Sequence, residues 1–487
     1  MSDVLERFPS VQGEEEIWDQ KNPAIRLFGR RFYKDQVPLE YLAEFLLVFS
    51  SPKSRDGSGA YEFRFEPDEN GKPCYYPAKR VPLKLFSFFP SSKLETRHPA
   101  HRRAYLNSLE IVKSAFSGQA TDSQKEEAVR LLQNLLAGFV GIGKNRTWVT
   151  FSFLPAATSL LGKEVTWEHP RAVKGEKGEV TDWESSNEYF DSSTRNFFGR
   201  GGELLFMQLL NLFSEPEAPE LVALTRMDSY RHLKDLSVSD LKLKIEASLK
   251  QILDDAVKQL ESVINLIEGL LDRYNLSART DSSGTALAWV PKISRVEGLL
   301  FAVELENICT SAMSPLEKID FIQTLCTLHV MRSLCFQARR VDEQFNRTVG
   351  FVGNYAWIAC DAESESGTTA RRMAEDSNVK IEGMLYRAVR STTLSKNGLS
   401  FTTKQYQNAD DNALKHFRRF GKKVGLVVPK RGPGQRFVVT AGLLRFFVAA
   451  LLRPGESLRL NEFYNRLFAH YGIAIGGDPL VTAVDWS

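Results

Sequence analysis

From about Asp240 to Tyr274, apolar residues recur at Ile245, Leu249, Ile252, Leu253, Ala256, Leu260, Val263, Ile267, Leu270, Leu271 and Tyr274. Steps of three and four held over so long a run define one amphipathic helix of roughly 50 Å, at about 1.5 Å per residue. A stripe of that length must be covered either by a large helical domain or by a partner. It does not keep a strict seven-residue period with flanking opposite charges, so the pattern favours an internal core over a coiled coil. A second long helix is expected from Pro315 to Arg340, with Ile319, Ile322, Leu325, Leu328 and Leu334 on one side. A third, Glu203 to Phe213, follows the doublet Gly201-Gly202. Together these make residues 195–360 an α-helical body.

At 487 residues the chain is long enough for two to four domains of about 100–200 residues. The first part, 1–170, reads as mixed α/β. Pro38 opens a helix over Leu39 to Phe49. The alternation in Tyr61 to Phe65 predicts a strand, a helix spans Gln124 to Ala137, and Thr147 to Leu154 reads as a strand. Segments 171–186, 361–369 and 391–411 are polar loops. The last part, 405–487, begins with a basic helix from Asp411 to Val424, capped by Asp410 or Asp411. Two strands follow, Gly425 to Val428 and Arg436 to Thr440, joined by the basic, Pro/Gly-rich tip Pro429 to Gln435. Helices over 441–452 and 460–471 complete a winged-helix-like module. The expected fold class is α+β and predominantly α-helical.

The net charge of +3 hides an asymmetry: residues 401–487 hold thirteen Lys and Arg against six Asp and Glu, +7, which leaves −4 for the rest. A basic module points to an anionic partner, and nucleic acid is the commonest one inside a cell. Lys415, Arg418, Arg419, Lys422 and Lys423 on the helix, with Lys430, Arg431 and Arg436 around the hairpin tip, form the candidate phosphate-contacting set. The bland alternative is a solvated face or a contact to an acidic protein. Phe417, Phe420, Phe446 and Phe447 read as core. Five scattered cysteines without a C-x-x-C pair argue for a reducing compartment, hence a cytoplasmic location. The first ten residues lack a secretory pattern, and the apolar run 441–452 is broken by Arg445 and short of the roughly 20 residues a bilayer requires. No membrane contact is expected.

Motifs for chemistry are weak. Gly138 to Lys144 matches G-x-x-x-x-G-K, but a helix precedes it, a strand follows it, and Asn145 replaces the hydroxyl that would hold Mg²⁺. That order is the reverse of a phosphate-binding loop, and a glycine-rich helix stop accounts for it. His232-Leu-Lys234 misses the histidine-phosphodiesterase spacing, since Ser239 stands where the acid belongs and Asp240 comes one position late. Arg226 and His232 match the loose arginine–histidine pattern of helical ribonucleases. Cys326, His329 and Cys335 share one helix and His98 with His101 forms a second pair, yet zinc sites draw paired ligands from two separated elements, and these cysteines read as small buried residues. No cofactor, metal or catalytic constellation is expected.

The layout is a mixed N-terminal part carrying Gly141 to Pro155 (GIGKNRTWVTFSFLP), a helical body opened by Arg195 to Leu210 (RNFFGRGGELLFMQLL), and a basic winged module. It resembles accessory subunits of prokaryotic defence systems, and among them the G-type subunit of phosphorothioation-dependent restriction systems. The resemblance implies a non-catalytic subunit that binds double-stranded DNA and docks an ATPase or nuclease partner in an anti-phage or restriction complex. It carries over no functional residue. The competing expectations are a nuclease using Arg226 and His232, and a purely protein-binding assembly factor.

Overall fold

The computed structural model describes residues 4–10, 22–29, 38–54, 61–76 except 69, part of 106–137, short strands at 149–150, 165–167 and 190–192, then 201–273, 285–342 and 351–486 except 399. In chain order the helices are α1 (Pro23–Phe28), α2 (Pro38–Ser50), α3 (Asp122–Ala137), α4 (Gly201–Ser214), α5 (Pro219–Thr225), α6 (Val238–Arg273), α7 (Arg295–Thr310) and α8 (Pro315–Val341). They continue with α9 (Thr369–Ala388), α10 (Thr403–Asn412), α11 (Leu414–Val424), α12 (Ala441–Leu451), α13 (Leu460–Tyr471) and α14 (Gly477–Trp486). Helices dominate and the sheets are small, as the sequence pattern requires. No helix among the described residues is long and apolar enough to cross a membrane.

The long helix is present as α6, and its first half turns Leu241, Ile245, Leu249, Ile252, Leu253 and Ala256 inward, packing mainly on α7. The stripe beyond Ala256 lies outside the described side chains. Helix α7 is buried almost all round, as a helix must be when others surround it. It packs against α4, α6, α8 and α12. Helix α2, read with the N-terminal part, also sits in this core beside α4 and α8. The α2–α4 contact is close because of the glycine doublet, which forms the first turn of α4: a Cβ at Gly202 would stand 2.5 Å from the Phe45 nitrogen and the Tyr41 oxygen. The Gly202 N–H donates to Glu44 Oε2 at 3.0 Å, placing a buried carboxylate at the positive end of α4.

The principal sheet has four strands, β1 (Trp357–Asp361), β2 (Val427–Val428), β3 (Arg436–Val439) and β4 (Ile473–Ala474), in the order β4-β1-β3-β2. Strands β1 and β3 run parallel, as do β1 and β4, while β2 and β3 form the expected antiparallel hairpin. Parallel neighbours need crossovers, and α9 to α11 and α12 to α13 supply them. Strand β1, which the sequence reading left in the helical body, is therefore interior to the sheet beside β3, and α9 covers both. Buried side chains of the N-terminal, middle and C-terminal elements form one continuous cluster.

Three local expectations are corrected. Tyr61 to Phe65 forms no strand with any described residue, and two of its backbone bonds go elsewhere: Glu62 N–H to Ser50 O at 3.0 Å and Phe65 N–H to Glu246 Oε1 at 2.7 Å. Within the loop expected over 391–411, α10 forms behind a Thr402/Gln405 capping box. Finally, α11 begins at Leu414 after a break at Ala413 (φ −104°, ψ −78°), and neither aspartate caps it: Asp410 pairs with Arg390 and Asp411 with Lys415.

Candidate nucleic-acid interface

The eight candidate residues fall into three groups. Lys423, Lys430 and Arg431 are exposed, with no carboxylate partner among the described residues. Lys415, Arg418, Arg419 and Lys422 lie along α11 in local company. Lys415 meets Asp411 at 2.5 Å, and Arg418 grips Glu382 of α9 with both carboxylate oxygens engaged, Nε at 2.7 Å and the second nitrogen at 2.6 Å. That bond holds the Arg418 guanidinium above its ordinary pKa. Lys422 is half-buried one turn along, its ammonium lowered by burial and by the Arg418 charge. Arg419 is half-buried near His416, whose ring burial and the Arg419 charge keep neutral. Arg436 forms the third group: it is 7% exposed, donating to the Ala362 carbonyl at 3.3 Å, so it supports the hairpin base and offers no surface to a phosphate.

The expected juxtaposition of α11 and hairpin can be traced through α9. At the hairpin, a Cβ on Gly434 would lie 3.5 Å from Glu375 Oε1 and 3.9 Å from an Arg371 nitrogen, so the tip borders the first turns of α9. Arg418 and Lys422 border Glu382. Glu375 and Glu382 are seven residues apart and share a face, about 10 Å from each other along the axis. Basic helix and basic tip thus flank one stripe of α9, with Val379 exposed (67%) between the two glutamates. The tip itself turns through Gly432 (φ 94°) and Gly434 (φ 72°), left-handed positions that glycine alone adopts without strain. The four aromatic residues assigned to the core, Phe417, Phe420, Phe446 and Phe447, are buried.

Arg226 and His232 are not brought into a comparable arrangement. Arg226 is exposed at the end of α5. His232 meets His470 of α13, Nε2 to Nε2 at 2.9 Å, and burial with the His470 neighbour holds its pKa down at about 2. This contact is the outer end of a network that the sequence reading missed. His470 Nδ1 donates to Glu304 Oε1 at 2.8 Å, which leaves Nε2 of a neutral ring as acceptor and assigns the bridging proton to His232. Glu304 takes both prongs of Arg332, at 2.6 and 2.9 Å, with both side chains at 0% exposure. Arg332 donates to His329 Nδ1 at 2.9 Å, and His329 Nε2 then donates to Gln208 Oε1 at 2.8 Å. Gln208 closes the chain on Ser333 at 3.1 Å. Burial would raise the Glu304 carboxyl, but Arg332 and His470 outweigh it and hold it below the usual range. Burial lowers His470 and His329.

Cys326 and Cys335 are fully buried, with thiol pKa values pushed up by burial. His329 spends both ring nitrogens on Arg332 and Gln208, leaving no lone pair for a metal. His98, His101 and the Gly138 to Lys144 loop lie outside the described residues. Comparison of the chain with protein-family models, with curated proteins and with solved structures returned no match.

Proposed function

We propose that the protein is a non-catalytic DNA-binding and scaffolding subunit that contacts duplex backbone phosphates through α11 and the β2–β3 hairpin. The observation that carries this reading is the pairing of Lys422 and Lys423 on α11 with Lys430 and Arg431 at the tip, on two elements that flank one face of α9. Such a surface neutralises phosphates without reading bases, so it supports sequence-independent binding. The helical body, with a 36-residue helix along it, is the part we assign to docking protein subunits, an ATPase or nuclease of a cytoplasmic prokaryotic defence complex. That setting rests on the layout resemblance. The module is best described as winged in function: a basic helix beside a basic hairpin, built here on a mixed sheet.

The nuclease reading needs His232 to exchange a proton with a bound ester. A ring already committed to His470, with a pKa near 2, has little proton affinity to offer. Binding of the purified chain to labelled duplex DNA across a salt series tests the proposal. The wild type binds at low salt and weakens steeply as salt rises, and replacing Lys422, Lys423, Lys430 and Arg431 by Ala flattens the slope by about 0.9 for each phosphate no longer neutralised. Absence of binding by the wild type at the lowest salt rejects it.

A further inference from the structure

Arg418 holds the Glu382 carboxylate, and Lys422 stands one turn further along the same helix. Arg418 faces Glu382 with a two-pronged bond, and Lys422, one turn further along α11, feels both the repulsion of Arg418 and the attraction of Glu382. The ion pair is asymmetric in exposure: the Arg418 side chain is 37% exposed and Glu382 only 17%, so the arginine is the member that reaches solvent more. An arginine fork accepts a phosphate in the same two-pronged geometry as a carboxylate. Glu382 also stands on the α9 stripe between basic helix and hairpin, where a backbone crossing from one to the other would pass.

We propose that Arg418 and Lys422 form a phosphate subsite in which the Glu382 carboxylate acts as an internal stand-in, displaced when a backbone phosphodiester binds. The ligand class is a nucleic-acid phosphate, and this rests on the DNA-binding reading above. Two consequences separate the subsite from a merely structural ion pair. Glu382 competes with DNA, so its removal strengthens binding. Arg418 is partly withheld in the wild type, so its removal matters more once Glu382 has gone.

The test is a salt series with labelled duplex DNA on four proteins: wild type, Glu382→Gln, Arg418→Ala and the double variant, each first checked for an unchanged thermal unfolding profile. The E382Q protein is expected to bind several-fold tighter at low salt, with a slope of log K against log salt steeper by about 0.9, one further phosphate. R418A is expected to weaken binding modestly alone and strongly in the E382Q background. If wild type binds and E382Q binds no better, or if R418A has the same effect in both backgrounds, the subsite is overturned while the DNA-binding reading stands. If E382Q unfolds early, R418A and Lys422→Ala in the wild-type background decide: a slope-reducing loss from each supports the subsite, and no loss from either one of them removes it. Failure of both wild type and E382Q to bind at the lowest salt removes the reading and this proposal together.

Discussion

Glu304 and Arg332 meet where neither side chain touches water, a placement that costs desolvation energy and is tolerated because every remaining donor is spent. Glu304→Ala therefore leaves an uncompensated buried arginine and is expected to cost about 3–5 kcal/mol. Urea unfolding would show the midpoint falling with the slope unchanged; a loss under about 1 kcal/mol would mean that Arg332 finds another partner or reaches water. The same network sets the acid limb of stability. His232, His329 and His470 are held neutral in the fold at pKa values below the ordinary 6.5, so the unfolded chain binds more protons as pH falls. Their contribution is complete above about pH 6.5 and drains away toward the folded values, each ring steepening the loss by up to about 1.4 kcal/mol per pH unit. Glu304, lowered in the fold from 4.5, adds its own loss further down, from about pH 4.5. Denaturant midpoints measured from pH 8 to 4 should fall below pH 6.5, and His232→Asn should make that limb shallower by about one proton. An unchanged limb would show that the His232–His470 contact opens too readily to matter.

Helices α7 and α8 run antiparallel with two ion pairs in step, Glu297 to Arg340 and Glu304 to Arg332. In the sequence these acids look like solvated positions of an amphipathic helix, because a pattern of apolar spacing cannot say that a third and fourth helix will cover the polar side. That is why the long helix and the basic hairpin were legible while the network was not: periodicity and local charge are written within one element, whereas Glu304, Arg332 and His470 acquire meaning only when three elements meet. The same limit explains β1, whose Trp357 to Cys360 is a short buried run without alternation and takes its role from strands nearly eighty and more than a hundred residues away. It also explains Arg436, basic beside a basic tip yet turned into the sheet. The glycine doublet carries a prediction at this scale. Gly202→Ala would drive a methyl into backbone atoms of α2, which cannot swing aside as a side chain can, so α2 and α4 must separate. The expected cost is about 2–3 kcal/mol in unfolding free energy, with DNA binding at low salt unaltered once the protein is folded. A neutral result would show that the two helices are not held at that distance.

At the scale of the whole chain, the basic C-terminal elements are bolted to the helical body. Tyr41 Oη of α2 shares a hydrogen bond with His416 Nε2 of α11 at 3.0 Å and packs edge-on against Phe420, while Asn307 of α7 bonds the Ala450 carbonyl in α12. Met331 of α8 approaches Gly421, where a Cβ would stand 3.2 Å from its methyl. Cutting at 405 would remove β1 from between β3 and β4, leaving a two-stranded hairpin, which is at best marginal in water, and baring the buried faces of α11 and α12. A fragment of residues 405–487 is therefore expected to lack cooperative unfolding and a dispersed amide spectrum, although it holds all the residues proposed to touch DNA. Its residual DNA affinity should be that of a flexible polycation, with no dependence on Glu382, which it lacks. The intact chain, under limited proteolysis, should yield no stable product beginning near 405. A folded 405–487 fragment that binds DNA as the full chain does would show an autonomous winged domain, and would make the shared core with α2, α7 and α8 a docking contact. The opposite outcome makes the basic face an outgrowth of the body, so that a partner pressing on α6 or α8 and a duplex held by α11 act on one cooperative unit.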